Sequence, residues 1–216
     1  MTASLFKSSI ALAIARPLVG PEAKIEELLF PMTADREELS AKWDAAAGRV
    51  AAVLAAGEDA CFLTLGDPFL YSTYIYLLRA LRKRLPDLKA VTVPGITAFG
   101  AAAALTDFPV GEGREPVTIV PAADDLGSVR RALAQGGTVV LMKIGKRLPE
   151  LLDLLDGEGL LESSVFVSHA TMAGQRIETD LRRLKAEEPE AGYLSIILVH
   201  AGNSEAAPDL VQSDPS

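Results

Sequence analysis

Two short corners in the sequence combine glycine with nearby hydroxyl side chains and could form a ligand site. The first corner is Gly66–Pro68, followed by Ser72 and Thr73, and the second corner is Pro94–Gly95, followed by Thr97. Glycine lets the backbone turn sharply or approach a ligand closely, and proline fixes the direction in which the chain leaves. Either corner alone is also an ordinary turn. Together they could converge on one cleft that suits a polar small molecule.

The chain offers few histidine and cysteine side chains for acid–base or metal chemistry. Its two histidines are His169, after an apolar run at 164–168, and His200. His169 could accept a proton in a cleft, and the alternative is a loop histidine bonded to backbone; His200 is expected to end the final strand. Cys61 is the sole cysteine, which leaves neither a disulfide framework nor a thiolate zinc site. We therefore predict no metal site and assign no catalytic residue.

Length and composition predict a soluble, cytoplasmic protein with one or two cores. The 216 residues are 49% hydrophobic, enough to bury a substantial interior. No run of 18 or more uncharged apolar residues is present, and Lys7, Arg16 and Pro17 interrupt the apolar N-terminal stretch. The formal net charge of -8 argues against binding to nucleic acid or to an anionic membrane.

The first half of the sequence alternates helix and strand patterns. Apolar residues at helical spacing predict a helix across 39–54, with Asp35 and Glu38 at its start and Gly57 at its stop. The patterns that follow predict a strand at 60–65, a helix at 71–85, a strand at 89–93 and a helix at 97–106. This alternation is typical of a parallel α/β sheet, in which ligands bind beyond the carboxyl ends of the strands. Both corners fall there.

The second half repeats the alternation after a polar, glycine-rich interruption at 107–116. The patterns predict strands at 117–122, 138–142, 164–168 and 193–199, with helices near 125–135 and at 148–155. We therefore expect two α/β domains, 1–112 and 113–202, followed by a disordered tail at 203–216.

The joint motif of the two corners resembles a known family. The stretch LTLGDPFLYSTYIYLLRAL at 63–81, followed by VPGITAFGAAAA at 93–104, is similar to the tetrapyrrole methylases. These are two-domain α/β methyltransferases that use S-adenosylmethionine, bound in a cleft between the domains. The segments FPMT at 30–33 and ATMAGQRI at 170–177 resemble the branch that methylates precorrin-2 in cobalamin biosynthesis. The resemblance extends over roughly residues 4–200.

The resemblance implies a set of cofactor-binding residues at the matching positions. These are Leu65, Gly66, Asp67, Ser72, Thr73, Thr97, Ala98, Met142 and Ala170. Asp67 is expected to orient the ligand. Methionine is also a common core residue, so a purely structural role for Met142 is the alternative.

The resemblance also implies the reaction and its partners. It implies transfer of a methyl group from S-adenosylmethionine to carbon 20 of precorrin-2 or its cobalt complex, by a homodimer. The alternatives are methylation at another carbon, or a catalytically silent relative that binds a tetrapyrrole or a partner chain. A carboxylate-rich tetrapyrrole needs basic side chains to offset the negative net charge, and the candidates are Arg16, Lys143, Lys146 and Arg147. A solvated basic loop is the other interpretation of the last three.

The start of the chain departs from the family pattern. The family opens with a strand, a glycine-rich loop, a helix and a second strand, whereas this sequence begins near the helix that follows them. Three explanations stay open: a piece of a longer chain, a misplaced start, or a genuinely shortened relative. A parallel sheet without that strand is expected to expose an unpaired edge and an apolar face.

Overall fold

Two units, residues 1–96 and 97–216, make most of their contacts within themselves. The computed structural model describes residues 9–28, 35–121, 125–186 and 194–202. The division falls ahead of the predicted domain boundary between 112 and 113, because the helix at Ala98–Thr106 packs on strands of the second unit. The predicted tail at 203–216 and the FPMT segment at 30–33 lie outside the described residues.

The first unit is built on helices. They are α1 (Ile10–Ala15), followed by a 3-10 turn (Arg16–Leu18), α2 (Arg36–Ala55) and α3 (Tyr74–Arg84). The Asp35 carboxylate accepts from the amides of Glu37 and Glu38 and so caps α2 as predicted. Gly57 follows the helix with a φ of +77°, a left-handed conformation that glycine adopts without a steric penalty.

The packing of α2 against α3 forms the core of the first unit. Ala46 and Ala47 of α2 are buried against Leu77 and Leu81 of α3. The rings of Trp43 and Tyr76 stack with centroids 5.2 Å apart, and Arg84 pairs with Asp44 across the two helices. The two buried residues of α2 are both alanines. Their small side chains let α3 approach closely.

The prediction of two strands in the first unit, at 60–65 and 89–93, is wrong, because the backbone there is extended but is not paired in a sheet. Neither segment belongs to a ladder, and neither makes a backbone–backbone hydrogen bond within the described part of the chain. The side chains do alternate: Val91 and Val93 are 90% and 74% exposed, whereas Thr92 is half-buried. The residue pattern thus produces extended backbone, but a strand also needs a partner about 4.8 Å away.

The second unit contains a five-stranded mixed sheet. Its strands are β1 (Val117–Pro121), β2 (Thr138–Met142), β3 (Ser164–Ser168), β4 (Arg176–Glu178) and β5 (Ser195–His200). The spatial order is β1-β2-β5-β3-β4. β1 pairs parallel with β2, while β5 is antiparallel to both of its neighbours and β4 is antiparallel to β3. β2 and β3 therefore run in the same direction on either side of β5.

Helices cover both faces of this sheet. They are α4 (Ala98–Thr106), α5 (Leu126–Ala134), α6 (Leu148–Gly157) and α7 (Leu181–Ala186). One face carries the larger core, in which Val139 and Ile197 of the sheet pack with leucines of α6 and α7. The other face packs Val140 and Leu198 against α4. Alternate residues of β1, β2, β3 and β5 enter opposite clusters, as the period of a β-strand requires.

The predicted helices and strands of the second unit are confirmed, with two additions, but the parallel arrangement expected from the alternation holds only for β1 with β2, because β4 and β5 pair antiparallel with their neighbours. β2 and β3 have the predicted bounds, and β5 begins and ends slightly later than predicted. The additions are β4 and α7, which the sequence patterns did not indicate.

Candidate functional site

The two corners of the first unit meet. A Cβ placed on Gly95 would lie 2.2 Å from the carbonyl oxygen of Gly66 and 2.9 Å from its carbonyl carbon, far inside van der Waals contact. Gly66 itself has a φ of +65°. The two glycines thus serve different needs, since Gly66 supplies a left-handed backbone and Gly95 supplies space. The two corners are therefore in contact at Gly66 and Gly95, while a ligand cleft formed by both corners stays a prediction.

The Asp67 carboxylate serves both corners. Its Oδ1 accepts from the Phe69 amide at 2.8 Å, a local turn of the aspartate type. Its Oδ2 accepts a long hydrogen bond, 3.5 Å, from the amide of Gly95. The side chain is half-buried. Both carboxylate oxygens of Asp67 therefore have partners within the first unit.

Ser72 belongs to a hydroxyl network beside the first corner. It is 8% exposed, shares a hydrogen bond of 3.0 Å with Thr64 Oγ1, and accepts from the Tyr74 amide at 3.2 Å. The Tyr74 hydroxyl in turn shares a hydrogen bond of 2.6 Å with Thr92 Oγ1. The network links the segments 60–65 and 89–93 through the start of α3. A contact of Ser72 with a cofactor stays a prediction.

Other predicted contact residues of the first unit face solvent. Leu65 and Gly66 are exposed, as are Thr73 and the neighbouring ring of Phe69. Within the described residues, the backbone groups of Leu65 and Gly66 have no hydrogen-bond partner. An exposed corner with unpaired N–H and C=O groups can bind polar atoms of a ligand.

Thr97 and Ala98 lie at the start of α4 in the second unit. Thr97 is the N-cap, and its Oγ1 accepts from the Gly100 amide at 3.1 Å. The hydroxyl proton of Thr97 is not consumed by this bond, because the oxygen acts there as an acceptor. Ala98 is exposed. The position suits a ligand that approaches the helix N-terminus.

Met142 and Ala170 lie on the same face of the sheet, beside α4. Met142 ends β2, and Ala170 follows β3 by two residues, at the edge where both strands end. Both residues are half-buried and pack against the apolar cluster on the α4 side. Contact with a cofactor stays a prediction for both.

The same edge concentrates backbone strain that the sequence did not signal. Lys143, His169 and Thr171 follow β2 and β3 with φ values of +54°, +51° and +62°. Positive φ is uncommon outside glycine and is a real outlier for a β-branched threonine. Strained residues cluster at functional sites. Lys143 and His169 stand directly after β2 and β3, and Thr171 lies three residues beyond the end of β3.

The two histidines lie at opposite ends of the strands of the sheet. His169 follows β3, and its Nδ1 shares a hydrogen bond of 2.8 Å with Ser168 Oγ. His200 ends β5 opposite Thr138 at the start of β2, with Nδ1 3.8 Å from a Glu115 carboxylate oxygen. His200 therefore ends the last described strand as predicted, away from the edge that carries Met142 and Ala170.

Neither a metal cluster nor a membrane span is found in the described residues. No group of three or more His, Cys, Asp or Glu side chains there could hold a metal ion. No helix among the same residues is long and apolar enough to cross a bilayer.

The chain belongs to the tetrapyrrole methylase family. The sequence model described as Tetrapyrrole (Corrin/Porphyrin) Methylases matches residues 4–185, a range that contains both corners and the strained edge. The α/β fold class inferred from the resemblance is therefore confirmed.

The chain is similar to particular members of this family. The chain is 34% identical to the cobalt-precorrin-2 C(20)-methyltransferase of Salmonella typhimurium, over 89% of this chain and 79% of the relative. It is 31% identical to the precorrin-2 C(20)-methyltransferase of a Sinorhizobium species, over 87% and 77%. Among solved structures, the methyltransferase CobJ aligns with a TM-score of 0.57 at 23% identity, over 75% of this chain and 71% of the other. That structural likeness shows the fold.

Proposed function

We propose that this protein transfers a methyl group from S-adenosylmethionine to carbon 20 of precorrin-2 or cobalt-precorrin-2. The observation that carries the proposal is the 34% identity to an enzyme of that name over 192 residues. A second relative, from Methanocaldococcus jannaschii, is named as a probable cobalt-precorrin-2 C(20)-methyltransferase and is 31% identical over 198 residues. Relatives from distant organisms thus share one named position of methylation.

The first corner fits S-adenosylmethionine. The cofactor carries an amino acid end and a ribose, which need polar partners, and an adenine ring, which needs apolar surface. Leu65 and Gly66 have backbone groups without partners in the described part of the chain, which can supply the polar contacts, and the exposed side chains of Leu65 and Phe69 can supply the apolar surface. We propose Leu65, Gly66, Thr73, Thr97 and Ala98 as direct contacts of the cofactor.

The chain's own contribution to the reaction is alignment and exclusion of water. When bound, the cofactor supplies a methyl group already activated on a positive sulfur, and the acceptor is an electron-rich carbon of the macrocycle. Met142 and Ala170, on the apolar face beside α4, are placed to bound a dry site. Residues that hold two reactants in line lower the barrier by removing their freedom of orientation. We propose that alignment of the two reactants is the main role of the residues that follow β2 and β3.

Basic residues after β2 are candidates for the carboxylates of the tetrapyrrole. Lys146 is exposed, and Lys143 and Arg147 are half-buried beside it. Arg147 also contacts Glu150 at 2.7 Å. Because the chain carries a net charge of -8, local positive charge is needed to attract an anionic substrate. We propose that this loop supplies it; Arg16 of the first unit is a further candidate.

Calorimetric titration of S-adenosylhomocysteine into the protein tests the cofactor, and turnover tests the position of methylation. We expect saturable one-to-one binding, and incubation with precorrin-2 and methyl-labelled cofactor should place the label at carbon 20. Label at another carbon would identify a methylase of different specificity. A folded protein with no saturable affinity would instead favour a silent relative that binds a tetrapyrrole or partner chain.

We further propose a cytoplasmic homodimer without a nucleic-acid or membrane partner. The support is the resemblance to the family and the acidic composition, with a sequence pI near 4.9. Sedimentation at several protein concentrations tests the oligomeric state, and a monomer at all of them would refute the dimer.

A further inference from the structure

We propose that Gly95 and Asp67 are positioning residues that lock the first corner in the conformation that binds the cofactor. The inference rests on the proposed function, because the bound group is the same cofactor. It differs in what it assigns: Gly95 was not among the expected contacts, and Asp67 acts through the protein rather than on the ligand.

The first step in the argument is the close approach of the two corners. The Gly95 α-carbon lies so near the Gly66 carbonyl that a methyl group on it would sit 2.2 Å from the oxygen. The obstructing atoms belong to backbone, which cannot move aside as a flexible side chain can. No positive φ accompanies this glycine. The absence of a side chain at 95 is therefore needed for distance and not for backbone conformation.

The second step is the way in which Asp67 spans the contact. Oδ1 holds the Phe69 amide, which fixes the turn after the first corner, and Oδ2 reaches the Gly95 amide of the second. A carboxylate that accepts from two backbone amides has little freedom to reorient toward a ligand. Gly95 is small enough for the two corners to approach each other, and Asp67 joins them by accepting a hydrogen bond from the Gly95 amide.

The third step is that the described contacts between the two segments, other than the one between the corners, run through side chains, including the Tyr74 ring, which stacks with Phe62 and meets Phe69 edge-on. Their backbones share no ladder in the described residues, and the hydroxyl network reaches from Thr64 to Thr92 only by way of Ser72 and Tyr74. Without the contact between the corners, the backbone groups of Leu65 and Gly66 lose a fixed position. A site that must be ordered at the moment of binding binds more weakly than one already ordered.

Substitution of Gly95 tests the proposal, with Gly48 as the matched control. In Gly95→Ala we expect at least a tenfold loss of affinity for S-adenosylhomocysteine. We also expect a raised KM for S-adenosylmethionine, with the KM for the tetrapyrrole unchanged. Gly48→Ala, in α2, should bind as the parent does, because the nearest atoms to its new Cβ are in the Arg84 side chain at 3.8 Å. Parental affinity in Gly95→Ala would overturn the inference while the proposed function stands.

Asp67→Asn provides a second variant if Gly95→Ala does not fold. The amide oxygen keeps an acceptor for Phe69, but its NH₂ group cannot accept from Gly95. We expect a several-fold loss of affinity and a shifted amide resonance of Gly95 in a ¹H–¹⁵N spectrum. Asp67→Ala should weaken cofactor binding more than it weakens folding. An unshifted Gly95 resonance and unchanged affinity in Asp67→Asn would contradict the role of Asp67.

The spectrum also separates failure of the inference from failure of the proposed function. If the parent does not bind S-adenosylhomocysteine, the proposed function fails. The resonances of Leu65, Gly66 and Asp67 in Gly95→Ala then test the contact between the two corners independently of cofactor binding. Large shifts confined to those residues support the lock between the corners, and resonances like those of the parent refute it.

Discussion

At the scale of single residues, the hydroxyl of Thr97 caps α4 and is also proposed to contact the cofactor, and one substitution tests both. Thr97→Val removes the acceptor for the Gly100 amide. It should cost about 1 kcal/mol of stability, as loss of an N-cap generally does. The same variant should lower affinity for S-adenosylhomocysteine, because the proposed contact is lost. Thermal unfolding and calorimetry measure the two effects.

Thr97→Ser is the control for both roles, since it keeps the hydroxyl group and should restore stability and affinity. A valine variant that binds like the parent would remove Thr97 from the cofactor site. A valine variant as stable as the parent would contradict the cap.

The candidate site divides into residues that the sequence could predict and residues that it could not. Gly66 and Asp67 are recognisable because glycine, aspartate and proline in succession restrict the local backbone. The role of Gly95 depends on a contact with a residue 28 or more positions earlier, which no local pattern contains. The positive φ values of Lys143 and His169 likewise occur after two strands that lie on either side of β5. Only the fold reveals it.

At the scale of elements, the N-terminus of α5 depends on the charge of one residue. The Ser128 hydroxyl, followed by the Gly127 amide, holds the pKa of Asp125 below its ordinary value of 3.8. A folded-state pKa that is depressed stabilises the protein above the unfolded pKa, and this contribution is lost as the pH falls through the folded value.

Asp125→Asn should therefore be less stable than the parent at neutral pH, with the difference shrinking as the pH falls from about 5 to about 2. Thermal unfolding across that range measures it. Asp59→Asn is the matched control, because Asp59 is exposed and has no hydrogen bond or ion pair in the described residues. A pH-independent difference between Asp125→Asn and the parent would contradict the charged cap.

Elements with their own periodicity were predictable, and elements that depend on a neighbour were not. α2 and β3 carry apolar residues at helical or strand spacing and end in recognisable cap or turn residues. β4 is three residues long and exists through its pairing with β3. The segments 60–65 and 89–93 illustrate the reverse case, since their residues favour strands but no described neighbour supplies a ladder.

At the scale of the whole molecule, the two units should differ in protection of their backbone amides. Amides of 60–65 and 89–93 have no backbone partner in the described residues and should exchange with solvent fast. Those of β2, β3 and β5 lie in a buried mixed sheet and should exchange slowly. Hydrogen exchange followed by mass spectrometry measures both, and slow exchange across 60–65 would show that these amides have partners. S-adenosylhomocysteine should slow exchange at Leu65 to Asp67.

The exposed valines at 91 and 93 also bear on the solubility of the protein. An extended apolar segment with unpaired backbone groups is a template on which another copy can add a strand. The net charge of -8 opposes such pairing, because like-charged copies repel one another at distances up to the screening length. That length falls from about 10 Å at 0.1 M salt to about 3 Å at 1 M. We therefore expect added salt to promote association of copies through this segment, because it weakens their charge repulsion.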